Sequence, residues 1–225
     1  MRCDTQDFPC REVSMSDRMI APPTIGALDL AALLCSRVCH DLISPVGAII
    51  NGLEVMEEDK DEETKTFALE LIKKSAGQAS AKLQFCRLAF GASGSAGAQI
   101  ELGDAEKAAR GLLEDGKTTL VWNLARALVA KNRVKLLLNM LLVASATIPR
   151  GGTLTADAMD EGYRVTGRGL NARLAPATSD LLAGTPAEPV GAHAIQPLYT
   201  GILARDCGFG ISARLDGDAV VVTAC

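Results

Sequence analysis

The strongest constraint on this chain is a long apolar period near its start. Leu28, Ala31, Cys35, Val38, Leu42, Val46, Ile49, Leu53 and Met56 recur at steps of three and four. At about 100° per residue they fall along one narrow stripe, which predicts a helix over about 25–56. Inside it stands Cys39-His40-Asp41-Leu42-Ile43-Ser44-Pro45, carrying one of only two histidines. His40 lies about 160° round the helix from Leu42, and Arg37, Ser44, Gly47 and Asn51 share that outer side. A histidine opposite the apolar stripe has nothing to pack on and is a mediocre helix former, so packing and propensity leave it unexplained. Neutral imidazole is a nitrogen nucleophile near pH 7 because its unperturbed pKa lies just below that value. Asp41 is placed to hydrogen-bond one ring nitrogen and raise the basicity of the other. His40 and Asp41 are therefore the candidate catalytic pair.

Two neighbouring features qualify this helix. Pro45 removes the hydrogen bond to the Asp41 carbonyl and should bend the chain one turn beyond His40. Cys35-x-x-x-Cys39-His40 has the residue types of a metal site, but the two thiols face inward while His40 points about 100–140° away. Three ligands so arranged do not converge on one ion. The thiols read as small hydrophobes, and no metal is expected here.

An acidic segment at 57–63 predicts a turn, followed by a second helix over about 62–90 with Ala68, Ile72, Ser75, Ala79, Leu83, Cys86 and Phe90 inward. Two long helices joined by a short loop form an antiparallel hairpin. Its flanking apolar residues, among them Leu34, Ile43, Ile50, Leu71 and Leu88, would stay partly wet, and a homodimer forming a four-helix bundle covers them economically. Residues 1–24, with Pro9, Pro22 and Pro23, read as a flexible leader. A glycine- and serine-rich stretch marks 92–99 as a linker. Beyond it, over 100–225, helices and strands alternate. Helices are expected over about 101–114, 132–147, 177–183 and 192–206, and strands over 118–124, 153–158, 162–167, 209–215 and 218–224. That order implies an α/β sandwich whose mixed sheet is covered on one face by helices.

A net charge of -4 without a dense basic cluster argues against nucleic acid. Seven cysteines, an odd number spread along the chain with no apolar signal segment, suggest reduced thiols and a cytoplasmic location. No apolar run approaches the ~20 residues of a membrane span, so no membrane partner is expected.

His40-Asp41-Leu42-x-x-Pro45 on a helical hairpin, ahead of an α/β sandwich, resembles the dimerisation and phosphotransfer region plus ATPase-like domain of sensor histidine kinases. Asn139-Met-Leu-Leu-Val-Ala144 and Ile148-Pro149-Arg150-Gly151-Gly152 look like the kinase asparagine-box helix and the turn after it. Val143 stands where those kinases carry a Mg²⁺-binding asparagine, and Thr166-Gly167-Arg168-Gly169 has no aspartate for adenine. Gly184 and Gly191 are too far apart to cradle a triphosphate with successive amides. Leu34-Cys-Ser-Arg-Val-Cys-His-Asp-Leu-Ile-Ser-Pro-Val-Gly-Ala-Ile49 and Leu83-Gln-Phe-Cys-Arg-Leu-Ala-Phe-Gly-Ala92 carry a closer likeness. The chain resembles the ChpT family of alphaproteobacterial histidine phosphotransferases, which combine an intact histidine box with a degenerate ATPase-like domain.

That resemblance implies relay of a phosphoryl group through His40, from the receiver domain of a hybrid histidine kinase (CckA type) to response regulators (CtrA and CpdR types) controlling the cell cycle. It implies no cofactor of the chain's own, with Mg²⁺ supplied by the receiver. Arg37, Ser44, Gly47, Ala48 and Asn51 then form the candidate docking strip, with Ser44, Gly47 and Ala48 small enough for a receiver helix to approach closely and Arg37 placed to help neutralise the phosphoryl group. The competing readings are an ATP-dependent histidine kinase or phosphatase with a divergent pocket, and a dimeric scaffold that no longer uses the histidine. His193, before the helix at 192–206, reads as structural or surface, and Trp122 and Phe209 as sheet core.

Overall fold

The computed structural model describes residues 25–91 and 98–225. The leader at 1–24 and linker positions 92–97 lie outside the described residues. The hairpin forms as expected, from α1 (Ala27–Glu58) and α2 (Glu62–Ala89). The Asp61 carboxylate caps α2, accepting from the Thr64 amide at 2.9 Å and the Thr64 hydroxyl at 2.8 Å. These bonds hold the Asp61 carboxyl below its ordinary value, the amide contributing most.

The burial phase of α1 differs from the apolar count. Leu28, Cys35, Cys39, Val46 and Leu53, expected inward, are exposed, as is Leu83 of α2, while Pro45 and Gly52 are the buried residues of α1. Small residues decide this. A Cβ added at Gly52 would lie 2.6 Å from Ile72 Cγ1 and 3.2 Å from the Ala68 carbonyl oxygen, so the helices touch where side chains are least. An apolar stripe of Ile43, Val46, Ile50 and Leu53 is left uncovered. α1 is also long and apolar enough to cross a membrane by length and composition, although Arg37 and Asp41 interrupt its apolar run.

The second part opens with a strand absent from the sequence expectation. β1 (Gln99–Glu101), beginning at a residue assigned above to the linker, pairs antiparallel with β3 (Leu128–Ala130). The main sheet has the order β2-β4-β5-β7-β6, from β2 (Thr118–Asn123), β4 (Gly152–Ala158), β5 (Tyr163–Arg168), β6 (Ile211–Asp216) and β7 (Ala219–Ala224). Only β2 and β4 run parallel, so the sheet is mixed and open. Asp216 pairs with Ala219 across the tight turn, where Gly217 takes φ 61°. Alternation is clear on β4 and β5: Leu154, Ala156, Tyr163 and Val165 point into the core while Arg164 and Arg168 face out.

Helices α3 (Leu102–Leu113), α4 (Lys131–Ala146), α5 (Thr178–Ala183) and α6 (Ile195–Asp206) complete the layer. α4 is apolar almost all round and buried from Val134 to Met140, as a helix between two layers must be. Trp122 is partly buried against this core and Phe209 lies within it, the Arg133 guanidinium standing 4.9 Å from the Phe209 ring centre.

The hairpin is built into the same core. Phe85 and Ala89 of α2 are fully buried among Leu136, Leu137 and Met140. Asn139, fully buried on α4, donates from Nδ2 to the Ala89 carbonyl at 3.0 Å and the Lys135 carbonyl at 2.7 Å. Its Oδ1 accepts from Gln196 Nε2 at 2.6 Å. One side chain thus ties the end of the hairpin to α4 and α6, and each polar atom of the Asn139 amide is partnered, as burial requires.

Candidate functional site

His40 stands on α1 with its side chain 71% exposed, as the sequence implied. Its Nδ1 lies 3.6 Å from Asp41 Oδ1. That is longer than a hydrogen bond, yet it turns Nδ1 toward the carboxylate and leaves Nε2 as the free nitrogen. Asp41 Oδ2 is 3.9 Å from Arg37 Nε, so the carboxylate sits between a cation and the imidazole. Cys86 of α2, half-buried on the facing helix, has its thiol pushed above its ordinary value by burial and, next, by the Asp41 charge.

Below the histidine the backbone gap left by Pro45 is filled. α1 runs unbroken through the proline, and Lys82 Nζ of α2 donates to the Asp41 carbonyl at 2.6 Å. The acceptor that the missing proline N–H would have served is thereby satisfied.

On the outer strip Ser44 and Asn51 are exposed, and a Cβ built on Gly47 meets nothing within 4 Å. Steps of four, three and four place His40, Ser44, Gly47 and Asn51 on one face. Arg37 and Ala48, assigned to the same strip, are half-buried instead. The inward face is set by Pro45 and Gly52, which shifts the polar boundary round the helix, and Arg37 borders a cavity shared with Val143 of α4.

The residue that sequence reasoning missed is His193. Its ring centre is 5.7 Å from that of His40, the planes at 83° in an edge-to-face contact. His193 also lines a cavity of about 410 Å³ together with Arg37, Val143, Thr147 and Arg173. Among the described residues no group of three or more histidine, cysteine or carboxylate side chains is arranged for a metal.

The profile of the family described as histidine phosphotransferase C-terminal domain matches residues 102–219. The protein phosphotransferase ChpT of Brucella abortus (strain 2308) is 48% identical over 211 residues, covering 92% of this chain and all of the relative. The chain belongs to the histidine phosphotransferase family. A solved structure of a bacterial phosphotransferase superposes with a TM-score of 0.78 at 46% identity, covering 91% of this chain and 99% of that one. The fold expected from sequence, a helical hairpin followed by an α/β domain with a mixed sheet, is the one observed. Phosphotransfer is the activity of this histidine phosphotransferase.

The positions compared above with a kinase nucleotide pocket are apolar or closely packed in the phosphotransferase. Val143 is buried and lines the cavity, offering no oxygen. Gly167, in the segment where an adenine-binding carboxylate would stand, packs directly on α4: an added Cβ would lie 2.9 Å from the Ala144 carbonyl oxygen and 3.1 Å from Thr147 Oγ1. Sheet and helix close together there, through a residue chosen for its lack of a side chain.

Proposed function

We propose that this phosphotransferase carries its phosphoryl group on Nε2 of His40, taking it from the receiver domain of a hybrid histidine kinase (CckA type) and passing it to response regulators of the CtrA and CpdR types. On this reading it acts in the cytoplasm, in cell-cycle control, as a homodimer through the hairpin. The observation that carries the proposal is the exposed imidazole whose Nδ1 faces Asp41 while Nε2 is free.

The chemistry follows from that geometry. The lone pair of neutral Nε2 attacks the phosphorus of the receiver's aspartyl phosphate in line; the N–P bond forms, the P–O bond breaks, and the receiver's carboxylate leaves with the electron pair. The imidazole becomes a cation that keeps its Nδ1 proton, and the Asp41 carboxylate beside Nδ1 stabilises it. Because that cation is a good leaving group, the same site gives the phosphoryl group to the next receiver. Mg²⁺ comes with the receiver, so the chain itself supplies a nucleophile and a surface. Ser44, Gly47 and Asn51 form that surface, with Arg37 and Ala48 at its edge.

The test is transfer from a phosphorylated receiver domain to the purified chain with no ATP present. Wild type should acquire an acid-labile, alkali-stable label, and His40→Ala should acquire none while keeping its stability within about 0.5 kcal/mol, since the side chain is exposed. Asp41→Asn should slow transfer without abolishing it. Label persisting on folded His40→Ala would refute the assignment.

A further inference from the structure

His193 reaches His40 from far along the chain, and its position is fixed. It precedes α6, whose Ile195 and Leu198 are buried with Leu181 in a small core that also takes Leu30, Leu33 and Leu34 of α1. The packing that docks α1 on α6 therefore also sets the separation of the two imidazoles. Just before α6, the Ala194 amide donates to the Gly191 carbonyl at 3.0 Å, holding the turn on which His193 stands. Among the described residues His193 has no hydrogen-bond partner, and its one ring contact is with His40.

Resting on the reading that His40 carries the phosphoryl group, we propose that His193 is a positioning residue for that group. A ring N–H of His193 donates to a phosphoryl oxygen on His40. With 5.7 Å between ring centres there is room for an oxygen at hydrogen-bond distance, ~2.8 Å, from an imidazole nitrogen of His193. Behind it, Arg37 and Arg173 line the adjoining cavity and make this side of the site electropositive toward the phosphoryl oxygens. Arg173 is held in place by its own amide, which donates to the Thr147 carbonyl at 2.9 Å. His193 forms no covalent bond in the step; the N–P bond is made and broken at His40 alone. His40 keeps most of its exposure, so the outer strip stays open to a receiver. The second domain thus contributes to the phosphohistidine although it holds no nucleotide in this role.

The experiment uses the full chain, charged chemically with phosphoramidate so that no partner is needed, and follows the decay and the ³¹P resonance of the phosphohistidine. In wild type the label sits on His40. His193→Ala should shorten its lifetime about fivefold, what one net hydrogen bond is worth, and should move the ³¹P resonance. His193→Asn, which returns an N–H donor near the imidazole Nδ1 position, should restore most of the lifetime, a rescue that a purely structural role would not require. Wild-type lifetime and resonance in His193→Ala would overturn the inference while leaving His40 as the carrier. Label on His193 itself would overturn it too. A wild-type chain that takes no label on His40 would overturn both this and the function it rests on.

Discussion

Replacing Lys82 by methionine removes the donor that serves the carbonyl stranded by Pro45, while keeping most of the aliphatic stem. A net hydrogen bond from a charged group contributes about 1.5–3 kcal/mol. This one is only part-buried and water can take some of its place, so the expected loss is about 1–2 kcal/mol. Pro45→Ala supplies the missing amide, which can close the helical bond to Asp41. By itself it removes an interior-proline cost of about 3 kcal/mol against two buried methylenes at about 0.8 kcal/mol each, and is expected to stabilise. In the Pro45→Ala background Lys82→Met should then cost less than about 0.5 kcal/mol, a coupling of about 1 kcal/mol. Urea unfolding of the four proteins at one fixed chain concentration measures the cycle, since any self-association enters the apparent stability. An additive cycle, within the ~0.3 kcal/mol usual for independent sites, would refute the claim that Lys82 replaces the proline's missing bond.

Three further outcomes are expected. Ile50→Glu with Leu53→Glu should convert a dimer to a monomer in sedimentation at micromolar concentration without changing the circular dichroism, because both residues lie on the uncovered stripe of α1; a monomeric wild type would sink the dimer proposal. Calorimetry with Mg-ATP should show no binding, Val143 giving the metal no ligand and Gly167 closing the pocket; micromolar affinity would promote the kinase reading. Burial, then Asp206, pushes the Cys207 thiol from 9.0 to about 11. At about pH 8 alkylation should modify exposed Cys35, Cys39 and Cys225 well before Cys207. Since the folded value is raised, Cys207 costs no stability below pH 9 and an increasing amount between pH 9 and about 11, as the unfolded thiol ionises first. Cys207→Ala should therefore flatten the fall of the urea midpoint over that window, and an unchanged profile would show that the thiol does not set it.

The hairpin, the order of the larger strands and the exposure of His40 were legible because each rests on a local period. The inward phase of α1 was not, because the residues that set it, Pro45 and Gly52, carry no apolar signal and act through close approach to α2. β1 and β3 are three residues each, too short for alternation to register, and exist by pairing with one another. Arg37 and Ala48 moved with the phase. His193 escaped for a different reason: its neighbour His40 lies on the first helix, and only the packing of Ile195 and Leu198 against α1 brings them together. A hydrogen-bonded asparagine such as Asn139 is likewise silent in a sequence, where it reads as one more polar residue in an apolar helix.

The clasp made by Asn139, holding the Ala89 carbonyl and receiving Gln196, has a bearing on what kind of machine this is. An enzyme that fetches its own phosphate from a nucleotide must carry the nucleotide-bearing lobe to the histidine and then withdraw it, and its joints have to permit the journey. A relay that is handed its phosphate from outside has no such errand. Riveting the two lobes together then costs nothing in turnover, and each incoming protein meets one fixed outline on every encounter.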